Sequence, residues 1–252
     1  MRRGLRPPHR RPLQDQRIGA GQPHRGTGLL AGDLVIAVTA LVVAKAPVPG
    51  LAKTRLAVSV GERAAADIAA AALLDTLDAV AAAPVQHRVV ALTGDLNRAC
   101  RADELRERLT AFTVVAQRGD DFAARLAHAH ADAFTGIPVL QIGMDTPQVG
   151  AELLAGCART LMDADAVLGL AADGGWWILG VARPELADCL RGVPMSRSDT
   201  GALTRKALQD NGATVLPLPE LADVDTIGDI AAVRRMCAPD SRFARATETV
   251  RT

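Results

Sequence analysis

A cluster of cationic residues near one end of the chain and several aspartates scattered far from it are the groups whose types and spacing could do phosphate chemistry. The stretch VAKAPVPGLAKTRL, residues 43–56, sets Lys45, Lys53 and Arg55 around Pro47, Pro49 and Gly50. Proline restricts φ, Gly50 admits a close chain approach, and Lys53 with Arg55 offers charge-assisted hydrogen bonds to phosphate oxygens. Lys45 can reach an anionic ligand from the preceding strand edge. Taken alone, the same loop also reads as a solvated cationic turn. It contains neither G-x-x-x-x-G-K-[ST] nor G-x-G-x-x-G, which sets aside ATPase and ordinary Rossmann dehydrogenase chemistry.

Two acidic stretches could complement it. In IGMDTPQVG, residues 142–150, Asp145 follows an apolar run and precedes Thr-Pro, which places its carboxylate on a rigid strand-end turn. In ADVDTIGD, residues 222–229, Asp223 and Asp225 either share a turn or send separate carboxylates toward a common cleft. Oxygen ligands of this kind suit a hard divalent ion, Mg2+ or Mn2+, that bridges carboxylates to phosphates, and Asp145 with Asp225 is the expected pair. The plainer reading of each is a cap or a solvated loop residue.

Further along, ADGGWWILG, residues 172–180, supplies Asp173 as an acceptor for substrate hydroxyls and Gly174–Gly175 as a tight turn. Trp176 and Trp177 point to opposite faces of a strand, so at most one is expected in a pocket and ordinary packing suits either. In QRGDDFAARL, residues 117–126, Gly119 and Asp120 are expected to shape or cap a helix entrance, with Arg125 facing either cleft or solvent and Phe122 packed inside. His128 and His130, two apart on a helix, are poorly spaced for a shared metal. In PMSRSDTG, Ser198 or Asp199 is expected to cap the next helix, and Arg197 could contact phosphate. No nucleophile elbow accompanies them, so acyl hydrolysis ranks low.

The elements that must position these groups alternate. The run LVIAVTALVV is long enough for a buried strand, and residues 62–83 are rich in helix formers. Strand candidates VQHRVVAL, AFTVVA, IPVLQIG, DAVLGLA, WWILGVA and ATVLPL then interleave with helical segments. These include ADELRERL, DFAARLAHAHADAF, GAELLAGCARTLMDA, residues 182–190, GALTRKALQD and DIAAVRRMC. The pattern predicts an α/β fold, a single mixed sheet covered by helices in three α/β/α layers, with ligand loops at the strand ends.

Composition bounds the rest. A chain of 252 residues with 49% hydrophobic residues can bury a sizeable core. Its net charge of +1 hides an asymmetry: residues 1–30 contain seven arginines and one aspartate, so the remainder is acidic. Residues 1–32, rich in Arg, Pro and Gly, are expected to form a disordered extension, residues 33–238 the folded domain, and 239–252 a polar tail. The extension lacks the aromatic residues of many single-strand binders, so no specific nucleic-acid partner is expected. Four spread cysteines imply neither zinc nor a disulfide framework, and a cytoplasmic location without membrane contact is preferred.

Together, VAKAPVPGLAKTRL, QRGDDFAARL, IGMDTPQVG, ADGGWWILG and ADVDTIGDI resemble the bacterial DUF2064 family of provisionally assigned A-type glycosyltransferases, related to nucleotide-diphospho-sugar transferases and nucleotidyltransferases. The resemblance implies the A-type glycosyltransferase-like fold, with a nucleotide-bearing donor at the sheet edge. It implies donor-phosphate or base contacts for Lys45, Pro47, Gly50, Lys53 and Arg55. Asp145 falls in the cation position, Asp225 is a second ligand, Asp223 a weaker candidate, and Asp173, Gly174 and Gly175 lie near the sugar. Asp173, Asp145 and Lys53 are the expected catalytic groups. The chain departs from the family's usual pattern in having Thr before Pro147 where cysteine is common, tryptophans where tyrosines are common, and an altered Q-x-G-D-L-G-x-R segment. The activity implied is metal-dependent glycosyl transfer from a nucleotide-diphospho-sugar to a hydroxyl acceptor. The alternatives are nucleotidyl transfer from an NTP to a phosphorylated acceptor, and nucleotide binding without catalysis.

Overall fold

A computed structural model of the chain describes Met1 and residues 35–250; the expected extension, residues 1–32, lies almost wholly outside the described residues. The first strand, β1 (Ile36–Lys45), is an interior strand, third in the order of a seven-stranded sheet. Its near-continuous apolar run suits a strand covered on both faces, and all but its last residue and Ala37 are buried. It pairs in parallel with β2 (Val85–Thr93) on one side and β4 (Val139–Ile142) on the other, and β3 (Thr113–Ala116) pairs in parallel with β2 at the edge. Beyond β4, β6 (Trp176–Val181) runs antiparallel to both β4 and β5 (Ala166–Ala171), and β7 (Val215–Leu221) closes the sheet parallel to β5. The order is β3-β2-β1-β4-β6-β5-β7, the mixed α/β sheet expected. Pro217 and Pro219 are tolerated in β7 because it is an edge strand.

Helices cover both faces. On one lie α2 (Glu62–Ala82), α3 (Ala102–Leu109) and α5 (Ala151–Met162), whose Leu73, Leu74, Leu77, Leu105, Leu154 and Leu161 share a core with Val38, Val42, Leu140 and Ile142. On the other, α4 (Phe122–Ala133), a 3-10 helix (Pro184–Gly192) and α6 (Thr200–Asp210) pack Leu126, Leu186, Leu190 and Leu208 against Leu41, Val43, Val139 and Leu179. The alternation of these side chains between two cores is the period-2 geometry of strands sandwiched by helices.

A third core bears on function. Leu56 of α1 (Thr54–Val60), Ile68 of α2, Val224, Ile230 and Val233 of α7 (Ile227–Met236), and Phe243 of α8 (Arg242–Ala246) form one buried cluster. It draws the loop after β1 and the loop after β7 together, although about 170 residues separate them. Alanine-rich α2 permits this because it is buried nearly all round, with the sheet on one side and α1 and α8 on another.

Three features differ from the sequence reading. The cationic loop ends sooner than expected, since Thr54 begins α1, anchored by the fully buried Leu56. The helix expected over residues 182–190 is a 3-10 helix starting at Pro184. The stretch read as a polar tail from residue 239 contains α8, capped by Ser241 and anchored by the fully buried Phe243, with Asp75 accepting from the backbone N–H groups of Arg242 and Phe243. Among the described residues no helix is long and apolar enough to cross a membrane.

Candidate functional site

The loops that follow β1, β4, β5 and β7 all leave the C-terminal edge of parallel strands, where open α/β sheets form their ligand crevices. They border a cleft of about 810 Å³ lined by residues that include Lys45, Arg55, Gln117, Arg125, Gln141, Asp145, Asp173, Trp176, Arg197, Asp223 and Asp225.

The loop after β1 is stiffened from within. Leu51 and Ala52 donate backbone N–H bonds to the Val48 carbonyl, and Lys45 Nζ donates to the Leu51 carbonyl at 2.8 Å. Gly50 adopts φ +77, and a Cβ there would come within 3.1 Å of the Glu62 carboxylate. Pro47 is buried, and its carbonyl accepts from Cys100 N–H, so Pro47 and Gly50 shape the loop without lining the cleft. Lys53, at φ 48 and ψ 49, is a non-glycine residue in the left-handed region, a conformation that side chains seldom adopt. From that turn the ammonium reaches Asp145, which lines the cleft.

Lys53 Nζ donates to Asp145 Oδ2 at 2.7 Å, with only 12% of the lysine side chain exposed. Burial alone would depress its pKa, but Asp145, by charge and hydrogen bond, then Asp225 and Asp223 by charge, hold it above the ordinary lysine value. Arg55 Nη1 pairs in the same way with Asp225 Oδ2. The two expected cation ligands are thus held by Lys53, at the N-cap of α1, and by Arg55, in its first turn. The Asp145 carbonyl accepts from Val224 N–H, tying the two acidic loops together, and the capping box of Thr226 and Asp229 fixes the start of α7 just beyond Asp225.

Asp223 faces this group too. Burial first, then the charges of Asp173 and Asp145, push its carboxyl up to about 6. Four carboxylates, Asp145, Asp173, Asp223 and Asp225, therefore crowd a space in which Lys53 and Arg55 are the paired cations. Carboxylate oxygens suit a hard divalent ion by chemistry, but here Asp145 and Asp225 are taken up by Lys53 and Arg55. No group of three or more metal-ligating side chains is gathered in ligating geometry among the described residues, so Asp145 and Asp225 would have to exchange their basic partners for the ion.

The opposite wall is built on glycine. Gly174, at φ +88, and Gly201 dock the β5–β6 turn onto the start of α6: Gly201 N–H donates to the Gly174 carbonyl at 2.8 Å, and a Cβ on Gly174 would sit 1.9 Å from the Ser198 carbonyl oxygen. Asp173 Oδ1 accepts from Gly175 N–H at 2.7 Å. Gly174 thus holds the turn, whereas Asp173 and Gly175 line the cleft. Asp199 occupies the N-cap position of α6 without a side-chain cap bond; it pairs with Arg197, while Thr200 Oγ1 accepts from Arg197 N–H. At α4 the cap is Asp121, which accepts from Ala124 N–H at 2.7 Å, in place of the expected Asp120. Arg125 Nε donates to the Gly119 carbonyl and lines the cleft.

The tryptophans separate as strand geometry requires. Trp177 packs in the α2 and α5 core with Nε1 donating to the Pro219 carbonyl, and Trp176 stands on the α4 face. Phe122, read from the sequence as core, is 51% exposed at the cleft because its position follows the Asp121 cap, before the inward face of α4 begins. Gln141 also lines the cleft, where the sequence reading has only a strand residue. Its signal was available: a polar residue inside the otherwise apolar strand VLQI.

Comparison with known proteins places this architecture. A crystal structure from Desulfovibrio desulfuricans G20, provisionally assigned as a nucleotide-diphospho-sugar transferase, is 26% identical over 84% of this chain and 94% of its own, with a TM-score of 0.72. A cytidylyltransferase from Leptospira borgpetersenii serovar Hardjo-bovis, 13% identical over 85% of this chain and 94% of its own, has a TM-score of 0.52 and shares the fold. A nucleotidyl transferase from Methanothermobacter thermautotroptrophicus, 19% identical over 83% and 98%, does so at 0.50. No curated protein matches the chain in sequence. Residues 76–197 match the family model described as "Uncharacterized protein conserved in bacteria (DUF2064)", a span that contains QRGDDFAARL, IGMDTPQVG and ADGGWWILG and leaves the cationic loop and ADVDTIGDI outside it. The resemblance drawn from the motifs therefore stands: across its middle the chain matches DUF2064, and over most of its length it has the fold of nucleotide-diphospho-sugar transferases.

Proposed function

We propose that this protein transfers a glycosyl group from a nucleotide-diphospho-sugar to a hydroxyl acceptor, with Mg2+ or Mn2+ held by Asp145 and Asp225. The observation that carries the reading is the meeting of Lys53 with Asp145 and Arg55 with Asp225 inside one strand-end cleft. A diphosphate needs both a basic clamp and a carboxylate-held cation, and the four residues supply the two halves at a single point. The likeness to the Desulfovibrio protein supports the donor class.

In this mechanism Lys53 and Arg55 leave their carboxylates for the donor's phosphate oxygens, where their charge stabilises the departing nucleoside diphosphate. The ion, when bound, supplies Lewis-acid stabilisation of the same leaving group. The stiff loop of Pro47, Gly50 and Lys45 keeps both cations in register, so little reorganisation is required at the moment of bond breaking. Asp173 orients the acceptor hydroxyl: its Oδ1 is taken by Gly175 N–H, which leaves Oδ2 to accept the hydroxyl proton. Gly175 lets the donor sugar approach the backbone of the turn.

The same clamp would serve nucleotidyl transfer, in which an acceptor phosphate attacks the α-phosphorus of an NTP and pyrophosphate departs. The crowding of cationic and acidic groups at one point suits that reaction as well. One assay separates the readings. The protein is incubated with Mg2+ or Mn2+, nucleotide sugars, NTPs and mixed acceptors, and the products are weighed by mass spectrometry. Release of nucleoside diphosphate with a glycosylated product is the expected result. Pyrophosphate release with a new nucleotide-diphosphate product would replace glycosyl by nucleotidyl transfer, and nucleotide binding without any product would make the protein a binding module.

A further inference from the structure

The floor of the cleft holds a polar group that the proposed phosphate chemistry does not use. In β4, Leu140 and Ile142 enter the α2 and α5 core, so Val139 and Gln141 face α4. Gln141 lies in the centre of the sheet, opposite Leu41 of β1 and Leu179 of β6. It is 2% exposed, lines the cleft, and its Oε1 has no hydrogen-bond partner. Buried side-chain amides are ordinarily satisfied, and an apolar residue of the same size would suit a strand floor flanked by leucines better. Behind the amide lies His130 of α4, fully buried and near enough for the amide to act on its imidazole, although neither ring nitrogen meets a partner in hydrogen-bonding geometry. A neutral imidazole and a primary amide each carry a donor and an acceptor, so the pair can present either to the cleft. The neighbouring walls are apolar: Val43, Leu126 and the indole of Trp176, which stands on the same face of the sheet.

On the reading of function given above, we propose that Gln141, supported by His130, is a specificity-determining residue that hydrogen-bonds a hydroxyl of the donor's sugar. A sugar is the ligand whose chemistry matches the surroundings, because it offers hydroxyls to an amide and a C–H face to an indole. Position agrees: β4 also carries the Asp145 turn, and the adjoining β6 carries Trp176, so a group attached to a diphosphate at Lys53 and Asp145 can lie over β4 and β6. A site built to hydrogen-bond a substrate hydroxyl discriminates strongly, since without that hydroxyl the buried amide stays unpaired.

The test compares wild type with Gln141→Met, a substitution of nearly equal shape, by calorimetric titration with UDP-glucose, UDP-N-acetylglucosamine and GDP-mannose beside free UDP and GDP, all with Mn2+. Wild type should prefer at least one nucleotide sugar to its matching diphosphate. Gln141→Met should weaken that nucleotide sugar about tenfold while leaving the diphosphates unchanged, with a thermal midpoint at or above that of wild type because an unsatisfied amide has been removed. His130→Leu should produce part of the same loss. Equal sugar preference in wild type and Gln141→Met would overturn the proposal alone, as would a wild type that prefers no sugar. A loss shared by free UDP or GDP would assign Gln141 to the nucleotide half. Absence of any diphosphate binding by wild type would overturn the functional reading and this inference with it.

Discussion

His130 gives a prediction whose size follows from the structure. The ring is fully buried in α4, and that burial, opposed only weakly by the Gln141 amide, lowers its pKa from 6.5 to about 4. In the unfolded chain the imidazole binds a proton near pH 6.5, whereas in the folded protein it does so only near pH 4. Between those values the unfolded state holds more protons, so stability rises with pH and is lost as pH falls through the window. Acidification from pH 7.5 to pH 5 should cost about 2 kcal/mol through this residue alone, of a full effect of about 3 kcal/mol reached below pH 4. For a folded unit of this size, 2 kcal/mol corresponds to roughly 4–8 °C in thermal midpoint. The assay is urea unfolding of wild type and His130→Leu at several pH values from 5 to 8. Subtracting one profile from the other cancels the carboxylates common to both, Asp223 among them. The leucine variant should lack about 2 kcal/mol of the wild-type loss at pH 5, whatever its absolute stability. Parallel profiles would refute the reasoning, because they would mean that His130 titrates alike in folded and unfolded chains.

The remaining predictions probe the cleft and its supports. Asp145→Asn and Asp225→Asn should each reduce metal-dependent turnover by roughly 10²-fold, read from product formation at saturating Mg2+ or Mn2+, and an unchanged metal profile in both would remove these residues from the cation site. Gly174→Ala places a Cβ against the Ser198 carbonyl at a left-handed φ, so it should destabilise by at least about 1–2 kcal/mol in denaturant titration and impair the Asp173 wall. Phe243→Ala empties the cluster beneath Leu56 and Val224 and should cost about 3–5 kcal/mol; thermal unfolding would show the loss, and donor binding should weaken along with it.

The layered α/β plan was legible because strand and helix periodicities are local. The buried run of β1, the helix of residues 62–82 and the alternation that follows need only neighbouring side chains to be recognised. Boundaries failed where tertiary packing supplied the stabilisation. Short α1 depends on Leu56 finding the third core, and α8 depends on Phe243 doing the same, although its surrounding residues are mostly polar. The candidate site was legible as an inventory: Lys53, Arg55, Asp145, Asp173, Asp223 and Asp225 all meet at one cleft or pair across it. Its wiring was not. Residue type alone puts Phe122 in the core, because it says nothing of which side of a cap a ring falls on. Gln141 reads only as part of a strand, because a single polar residue leaves the strand signal intact.

Residue type and spacing by themselves determined that this chain makes a helix-covered sheet with cationic and acidic loops at strand ends, since turn chemistry and hydrophobic periodicity act over a few residues. Only the tertiary structure decided that Lys53 meets Asp145 across 92 positions and Arg55 meets Asp225 across 170. Those distances are closed by the burial of Leu56, Val224 and Phe243 in one core, a collective term that no local pattern encodes.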